Sequence, residues 1–341
     1  MTATFRAMQI AAPGRLEPVR RPVPEPGPGE VLIAVEACGI CGADAGDIEN
    51  GPPGRIPGHE VVGRLKALGA EVPPVWRIGQ RVGMGRLGGP CLTCGDCRRG
   101  RLHLCRNQPV TGASRDGGYA GMMLARATGL ISVPDALAAA EAAPILCAGI
   151  ATFNALRKSG AEPGDTVAVL GIGGLGHMAL QYARRMGFRV VAIGRGADIA
   201  AEARTLGAHR YIDTNVENAA EALAAMGGAR AILTMIADTA AIAALLPALT
   251  PEGRLVLLGG GKDPLPVPMG LLVGGERGIL GSITGSPHEV ERVLDFSVLT
   301  GARPMIETLP LERAGEAYRK MRSGAAKFRM VLTMGEQDAH Q

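Results

Sequence analysis

A two-domain α/β protein is predicted, one domain a doubly wound parallel sheet and the other mainly β, and three observations carry that expectation. Between residues 166 and 258, apolar strands alternate with Ala-rich helical segments, as a parallel βαβ sheet requires. Before about Cys147, short apolar runs stand between Pro/Gly turns, the rhythm of a β domain. Gly171, Gly173 and Gly176 fall at GxGxxG spacing directly after a strand and before a helix.

In chain order, the apolar runs at residues 31–35 and 61–65 are the clearest strands of the first stretch. In the middle stretch, strands at 166–170, 190–193, 232–236 and 255–258 alternate with helices at 175–186, 199–206 and 240–249. The last stretch, from about Ser282, holds a helix near 288–299 and a terminal strand near 329–333. No internal repeat or low-complexity segment interrupts this order.

A chain of 341 residues is long enough for two domains with their own cores. Hydrophobic residues make up 47% but aromatics only 3%, so the interior must be built mostly from Ala, Leu, Val and Ile. The net charge of +4 is spread along the chain rather than gathered into a basic block, which argues against a nucleic-acid surface. The first residues, MTATFRAMQIAAPG, lack the apolar core of a signal peptide. The longest uncharged stretch, residues 166–183, is broken by glycines, His177 and Gln181 and reads as strand, turn and helix rather than a membrane span. A cytoplasmic location is expected, where reducing conditions favour thiolate metal ligands over disulfides.

The cysteines carry the chemistry. Cys91, Cys94, Cys97 and Cys105 lie in CLTCGDCRRGRLHLC, close enough for one loop to wrap four thiolates around a tetrahedral ion with no position left open. That describes a structural zinc site, and by itself it suits a nucleic-acid-binding ribbon equally well. Cys41 sits in ACGICGAD, His59 in IPGHE and Cys147 in PILCAGI. Two thiolates and one imidazole would leave a fourth position for water or substrate, as catalytic zinc sites do. Taken singly, each is weak evidence, because a lone Cys is most often a small buried hydrophobe.

The order of GHE, the four-cysteine loop, LCAGI and the glycine-rich turn resembles the zinc-containing medium-chain alcohol dehydrogenases, nearest their bacterial and cinnamyl-alcohol-type branch. The resemblance runs from Met8 to about Met334. It implies a GroES-like catalytic domain over residues 1–147 and 282–341, to which the tail returns, and a Rossmann domain over 148–281. It assigns Cys41, His59 and Cys147 to a catalytic zinc and Cys91, Cys94, Cys97 and Cys105 to a structural one, two Zn2+ per chain, with Cys38 spare. Supporting roles fall to Asp44, which would orient His59, and to Glu60. Arg329, in KFRMVLT, resembles the family's C-terminal arginine that pairs with the cofactor pyrophosphate. Relatives are homodimers or homotetramers built through the cofactor domain, so the same is expected here.

Around the glycine turn, Gly171, Gly173, Gly174, Leu175 and Gly176 would let a pyrophosphate approach helix N–H groups, while His177 caps or packs the helix. At the end of the next strand an acidic residue would bind the ribose hydroxyls of NAD, but VVAIGRG puts Gly194 there, followed by Arg195. NADP(H) is therefore favoured, with NAD(H) possible.

Two departures from the family pattern concern the reacting end. Ala43 and Gly46 stand where a Ser or Thr and often a His pass the alcohol proton to solvent, so the usual hydroxyl relay is absent unless water, ribose or Asp47 replaces it. Arg86 stands where many relatives place an aromatic residue, and in the pocket it would suit a substrate with an anionic tail. The expected activity is zinc-dependent interconversion of a small-molecule alcohol and an aldehyde or ketone with NAD(P)(H), without nucleic-acid or membrane partners. The rival readings are an NADPH-dependent reductase of an iminium or conjugated C=C bond and a non-catalytic binding protein of the same descent. A zinc-ribbon nucleic-acid protein is the weakest option.

Overall fold

The structure is a computed structural model and describes residues 3–335. Residues 1–2 and 336–341 of the predicted first domain lie outside the described residues. Two compact units are present: Ala151–Ile283, and the described residues on either side of it.

The strands of the flanking unit are β1 (Thr4–Ala12), β2 (Arg15–Pro22), β3 (Glu30–Ile40), β4 (Glu60–Leu68), β5 (Arg81–Met84), β6 (Met122–Arg126) and β7 (Ile131–Ser132). Those of the middle unit are β8 (Thr166–Leu170), β9 (Arg189–Gly194), β10 (Arg210–Asp213), β11 (Ala229–Thr234), β12 (Leu249–Leu257) and β13 (Gly278–Gly281). After it come β14 (Ile306–Pro310) and β15 (Arg329–Thr333).

β1 and β2 form an antiparallel hairpin. The other strands of that unit build a seven-stranded sheet around β3, whose sequence EVLIAVEACGI is apolar almost throughout and buried on both faces. β4 pairs along most of β3, while β6 takes its first half and β15 its second, from Ala37 to Ile40. The C-terminal strand thus lies against the end of β3 that leads into Cys41. Register brings Gly39 opposite Glu60, so the end of β3 and the start of β4 set Cys41 and His59 side by side.

The middle unit is a six-stranded parallel sheet in the order β10-β9-β8-β11-β12-β13. Every residue of β8 is buried, as expected for a central strand covered on both faces. The chain runs outward from β8 to β10 and then returns to its other side with β11, a topological switch point beside the glycine turn. Two of these strands, β10 and β13, were not expected. RYID and GILG are only four residues each and carry no apolar run, and they become strands because parallel neighbours offer them a ladder.

Among the described residues, one helical run, Ala139–Lys158, is long and apolar enough to cross a membrane by length and composition. Its most apolar window is 72% buried inside the fold, which accounts for its hydropathy. Within it, a π-helical turn, Ile145–Gly149, carries Cys147. Single π turns inside α-helices recur at functional sites.

Candidate active site

The donor atoms of Cys41, His59, Glu60 and Cys147 lie within 4.8 Å of one another, although the residues are up to 106 positions apart in sequence. Cys41 Sγ and Cys147 Sγ are 3.7 Å apart, and His59 Nε2 is 3.4 Å from Cys147 Sγ. Tetrahedral zinc with ordinary bond lengths requires S···S near about 3.8 Å and S···N near about 3.6 Å. The triad fits that ion. Cys38, by contrast, is buried in β3 outside the donor group, and burial followed by the Asp44 and Glu60 charges pushes its thiol up.

Each donor has a partner behind it. Asp44 is fully buried and accepts the Cys41 backbone N–H at 2.8 Å and the Tyr119 hydroxyl at 3.0 Å, while its Oδ1 lies 2.6 Å from His59 Nδ1. With a carboxylate at Nδ1, the neutral imidazole would keep its proton there and turn the Nε2 lone pair toward the thiols, as binding a metal ion requires. Burial lowers the His59 pKa, but Asp44 and then Cys41 more than reverse this and leave it well raised. The Cys147 bond holds the Cys41 thiol well below its usual range despite burial, and the same bond raises Cys147. Burial pushes Glu60 up to about 7 against the pull of Arg329.

Arg329, expected at a cofactor pyrophosphate, is 3% exposed and ion-paired with Glu60. Glu60 Oε2 and Arg329 Nε have no partner among the described residues, so both keep bonding capacity beside the donors. A Cβ on Gly39 would come within 1.9 Å of Glu60 Oε2, so only glycine lets Glu60 lie there. Tyr119 was missed by sequence reasoning, because a lone tyrosine among glycines carries no signal.

The second cluster is the loop. Cys91, Cys94, Cys97 and Cys105 bring their sulfurs within 4.8 Å of one another, with Cys105 at 3.5 Å from Cys91 and 3.9 Å from Cys94, again the spacing of tetrahedral zinc. Backbone N–H groups of Cys94 and Cys91 donate to Cys91 and Cys105 sulfurs at 3.4 and 3.3 Å. The Thr93 hydroxyl and nearby N–H groups pull the Cys91 thiol down to about 5, a thiolate at neutral pH.

Near the interior cluster, Ala43 and Gly46 are exposed, and a Cβ at Gly46 would meet nothing within 4 Å. Arg86, expected to meet an anionic substrate tail, and Asp47, expected as a substitute for the proton relay, meet each other in a bidentate ion pair. The Asp47 carboxylate lies within 4.8 Å of His59 and Asp44 donor atoms, which puts the pair beside the donors.

In the middle unit, Gly171 has φ of 93°, and a Cβ on Gly176 would fall 2.0 Å from the Gly171 carbonyl oxygen. Both positions need glycine. A Cβ on Gly173 would meet nothing within 4 Å, so there is open space at Gly173, two residues before the half-buried Leu175 and the helix Gly176–Arg185, whose start no side chain caps; Gly174 lies between them. Open space at a glycine beside a helix N-terminus suits a pyrophosphate, although the His177, Met178 and Ala179 N–H groups already bond backbone carbonyls. His177 is buried with Nδ1 3.3 Å from the Gly173 carbonyl oxygen, a packing position. Gly194 ends β9, and Arg195 after it is exposed.

Two family models match the chain, one for the alcohol dehydrogenase GroES-like domain over residues 27–135 and one for zinc-binding dehydrogenases over 174–298. Alcohol dehydrogenase notN of Aspergillus sp. (strain MF297-2) is 42% identical over 92% of this chain and 93% of its own length. The structure of acetophenone reductase from Geotrichum candidum in complex with NAD superposes with a TM-score of 0.85 at 28% identity, covering 98% of both chains. That of CAD from Helicobacter pylori complexed with NADP(H) gives 0.84 at 27% identity, covering 98% of this chain and 99% of that one. The chain belongs to the zinc-containing medium-chain alcohol dehydrogenase family. It is an alcohol dehydrogenase-like oxidoreductase of the alcohol–aldehyde class.

Proposed function

We propose that the protein interconverts an alcohol and an aldehyde or ketone with NADP(H), using a catalytic zinc held by Cys41, His59 and Cys147 and a structural zinc in the Cys91–Cys105 loop. The observation that carries this is the buried two-thiol, one-imidazole triad with Asp44 behind its histidine. Zinc there would supply Lewis acidity toward a carbonyl oxygen, and the nicotinamide the hydride. The chain's residues do the rest: Asp44 fixes the His59 tautomer, Tyr119 and the Cys41 N–H fix Asp44, and Arg329 balances the Glu60 charge. The missing hydroxyl at Ala43 leaves proton transfer to solvent, because Asp47 is engaged by Arg86.

For NADP(H) over NAD(H), support comes from Gly194 and the exposed Arg195. A homo-oligomer through the middle unit is supported by β13, which ends the parallel sheet as an edge strand, and by Met269 and Val273, 80% and 79% exposed. The testing experiment is a panel of aldehydes, ketones, imines and enals assayed with NADPH and NADH on zinc-loaded enzyme. Reduction of aldehydes or ketones, best with NADPH, is the expected result; turnover confined to imines or enals would replace this reading with its rival.

A further inference from the structure

The end of β9 is held by a set of contacts that the metal chemistry does not use. Tyr211, on β10, is 8% exposed, and its hydroxyl donates to the Gly196 carbonyl oxygen at 2.6 Å. Asp213 Oδ1 accepts the backbone N–H of Gly196 at 2.8 Å and of Asn215 at 2.9 Å. The Gly194 carbonyl oxygen accepts the Thr214 N–H at 2.9 Å and its hydroxyl at 3.1 Å. Residues 194–196 are therefore fastened on both sides of Arg195, whose own side chain has no hydrogen bond or ion pair among the described residues.

The same tyrosine occupies space. A Cβ on Gly194 would stand 3.0 Å from the Tyr211 hydroxyl oxygen, 3.2 Å from its Cε2 and 3.4 Å from Ile172 Cδ1. A ribose-directed carboxylate belongs at this strand end in an NAD-binding site. Here the carboxylate is missing, and its first carbon would press on a ring held in place by its own hydrogen bond. Of the two acids nearby, Asp213 is anchored through its Oδ1 by two backbone N–H groups, while Asp198 is exposed, with Oδ1 2.7 Å from where a Cβ on Gly196 would sit.

We propose that Tyr211 is a positioning residue for nucleotide choice: it bars a carboxylate from position 194 and, with Asp213, fixes the turn that presents Arg195 to a 2′-phosphate. This deepens the NADP(H) reading above and rests on it. The physical advantage is preorganisation, since an arginine on a fastened turn loses less freedom when it pairs with a phosphate.

The test is calorimetric binding of NADPH and NADH to the zinc-loaded enzyme, which needs no turnover. Tyr211→Phe keeps the ring and removes only the bond to Gly196. It should weaken NADPH by about fivefold to tenfold, the share of one neutral hydrogen bond, and change NADH by less than about twofold. Gly194→Asp alone should not create NADH preference, whereas Gly194→Asp combined with Tyr211→Ala should tighten NADH by about tenfold over the single variant. Equal losses for both cofactors in Tyr211→Phe, no loss for either, or NADH preference from Gly194→Asp alone would overturn the proposal and leave the NADP(H) reading standing. Tighter NADH binding by the wild type, with Asp198→Ala weakening it, would overturn the NADP(H) reading and this proposal together.

Discussion

The loop cluster takes Cys91, Cys94, Cys97 and Cys105 from residues 91–105, whereas the interior cluster takes Cys41, His59 and Cys147 from a strand end, a turn and a π-helical turn. Loop sulfurs lean on adjacent backbone N–H groups, and two of the four cysteines are partly exposed. The interior donors lean on a buried carboxylate, a buried tyrosine and a buried ion pair. Four sulfurs from one loop would close every position around a bound ion and tie local chain together. Cys41, His59 and Cys147 come from three elements, with the Glu60 carboxylate beside them, and would leave the fourth position of an ion to Glu60, water or substrate. On the proposed reading, similar ligands would separate a staple from a reaction centre by what stands behind them.

The sharpest way to break this comparison is to remove one thiol from each cluster. Cys41→Ser should lower kcat/KM for the best carbonyl substrate by at least about a thousandfold, as loss of a Lewis-acid site worth several kcal/mol requires, with little change in melting temperature. Cys94→Ser should instead lower the melting temperature by roughly 5–10 °C. Thermal melts and steady-state kinetics on both variants decide this, and an exchange of the two phenotypes would reverse the assignments.

A smaller effect tests the support behind the interior donors. Asp44→Asn removes the carboxylate from His59 Nδ1 and should cost about 10–100-fold in zinc affinity, measured by competition with a chelator. The loop cluster should retain its ion in the same titration. Unchanged affinity at both clusters would mean that Asp44 has no orienting role.

Restoring a proton path should give about a tenfold gain. Ala43→Ser is predicted to raise turnover of small primary alcohols at neutral pH by that factor, a modest share of what a positioned proton-transfer group supplies. The open space at Gly46 lets Gly46→His be added without a clash at Cβ. Stopped-flow pH changes with an indicator dye would follow the released proton, and no gain in either variant would show that another group already carries it.

The smallest shift concerns Arg86. Asp47→Asn frees the guanidinium from its ion pair and should favour carboxylate-bearing aldehydes over neutral ones by about threefold to tenfold in kcat/KM. If the preference does not move, Arg86 lies off the substrate path.

How much of this was legible depended on distance along the chain. The loop cluster could be read from spacing, since residues 91–105 carry all four donors. The parallel sheet was legible where strands were long apolar runs, as at β8, and illegible at β10 and β13, where neighbours rather than side chains make the strand. Cys41, His59 and Cys147 could be suggested from residue type, each weakly, but only the resemblance assigned them to one site, because no local pattern links residues 106 apart. Tyr119 behind Asp44, Arg329 on Glu60 and Arg86 on Asp47 are long-range side-chain contacts that residue type and spacing do not encode.

Zinc content per chain is the measurement that tests the central claim most directly. Elemental analysis of the wild type should return two zinc ions, Cys41→Ser should return one while keeping its melting temperature, and Cys94→Ser should lose the other. One zinc per chain in the wild type, unchanged by Cys41→Ser, would contradict the account of the interior cluster as a metal site.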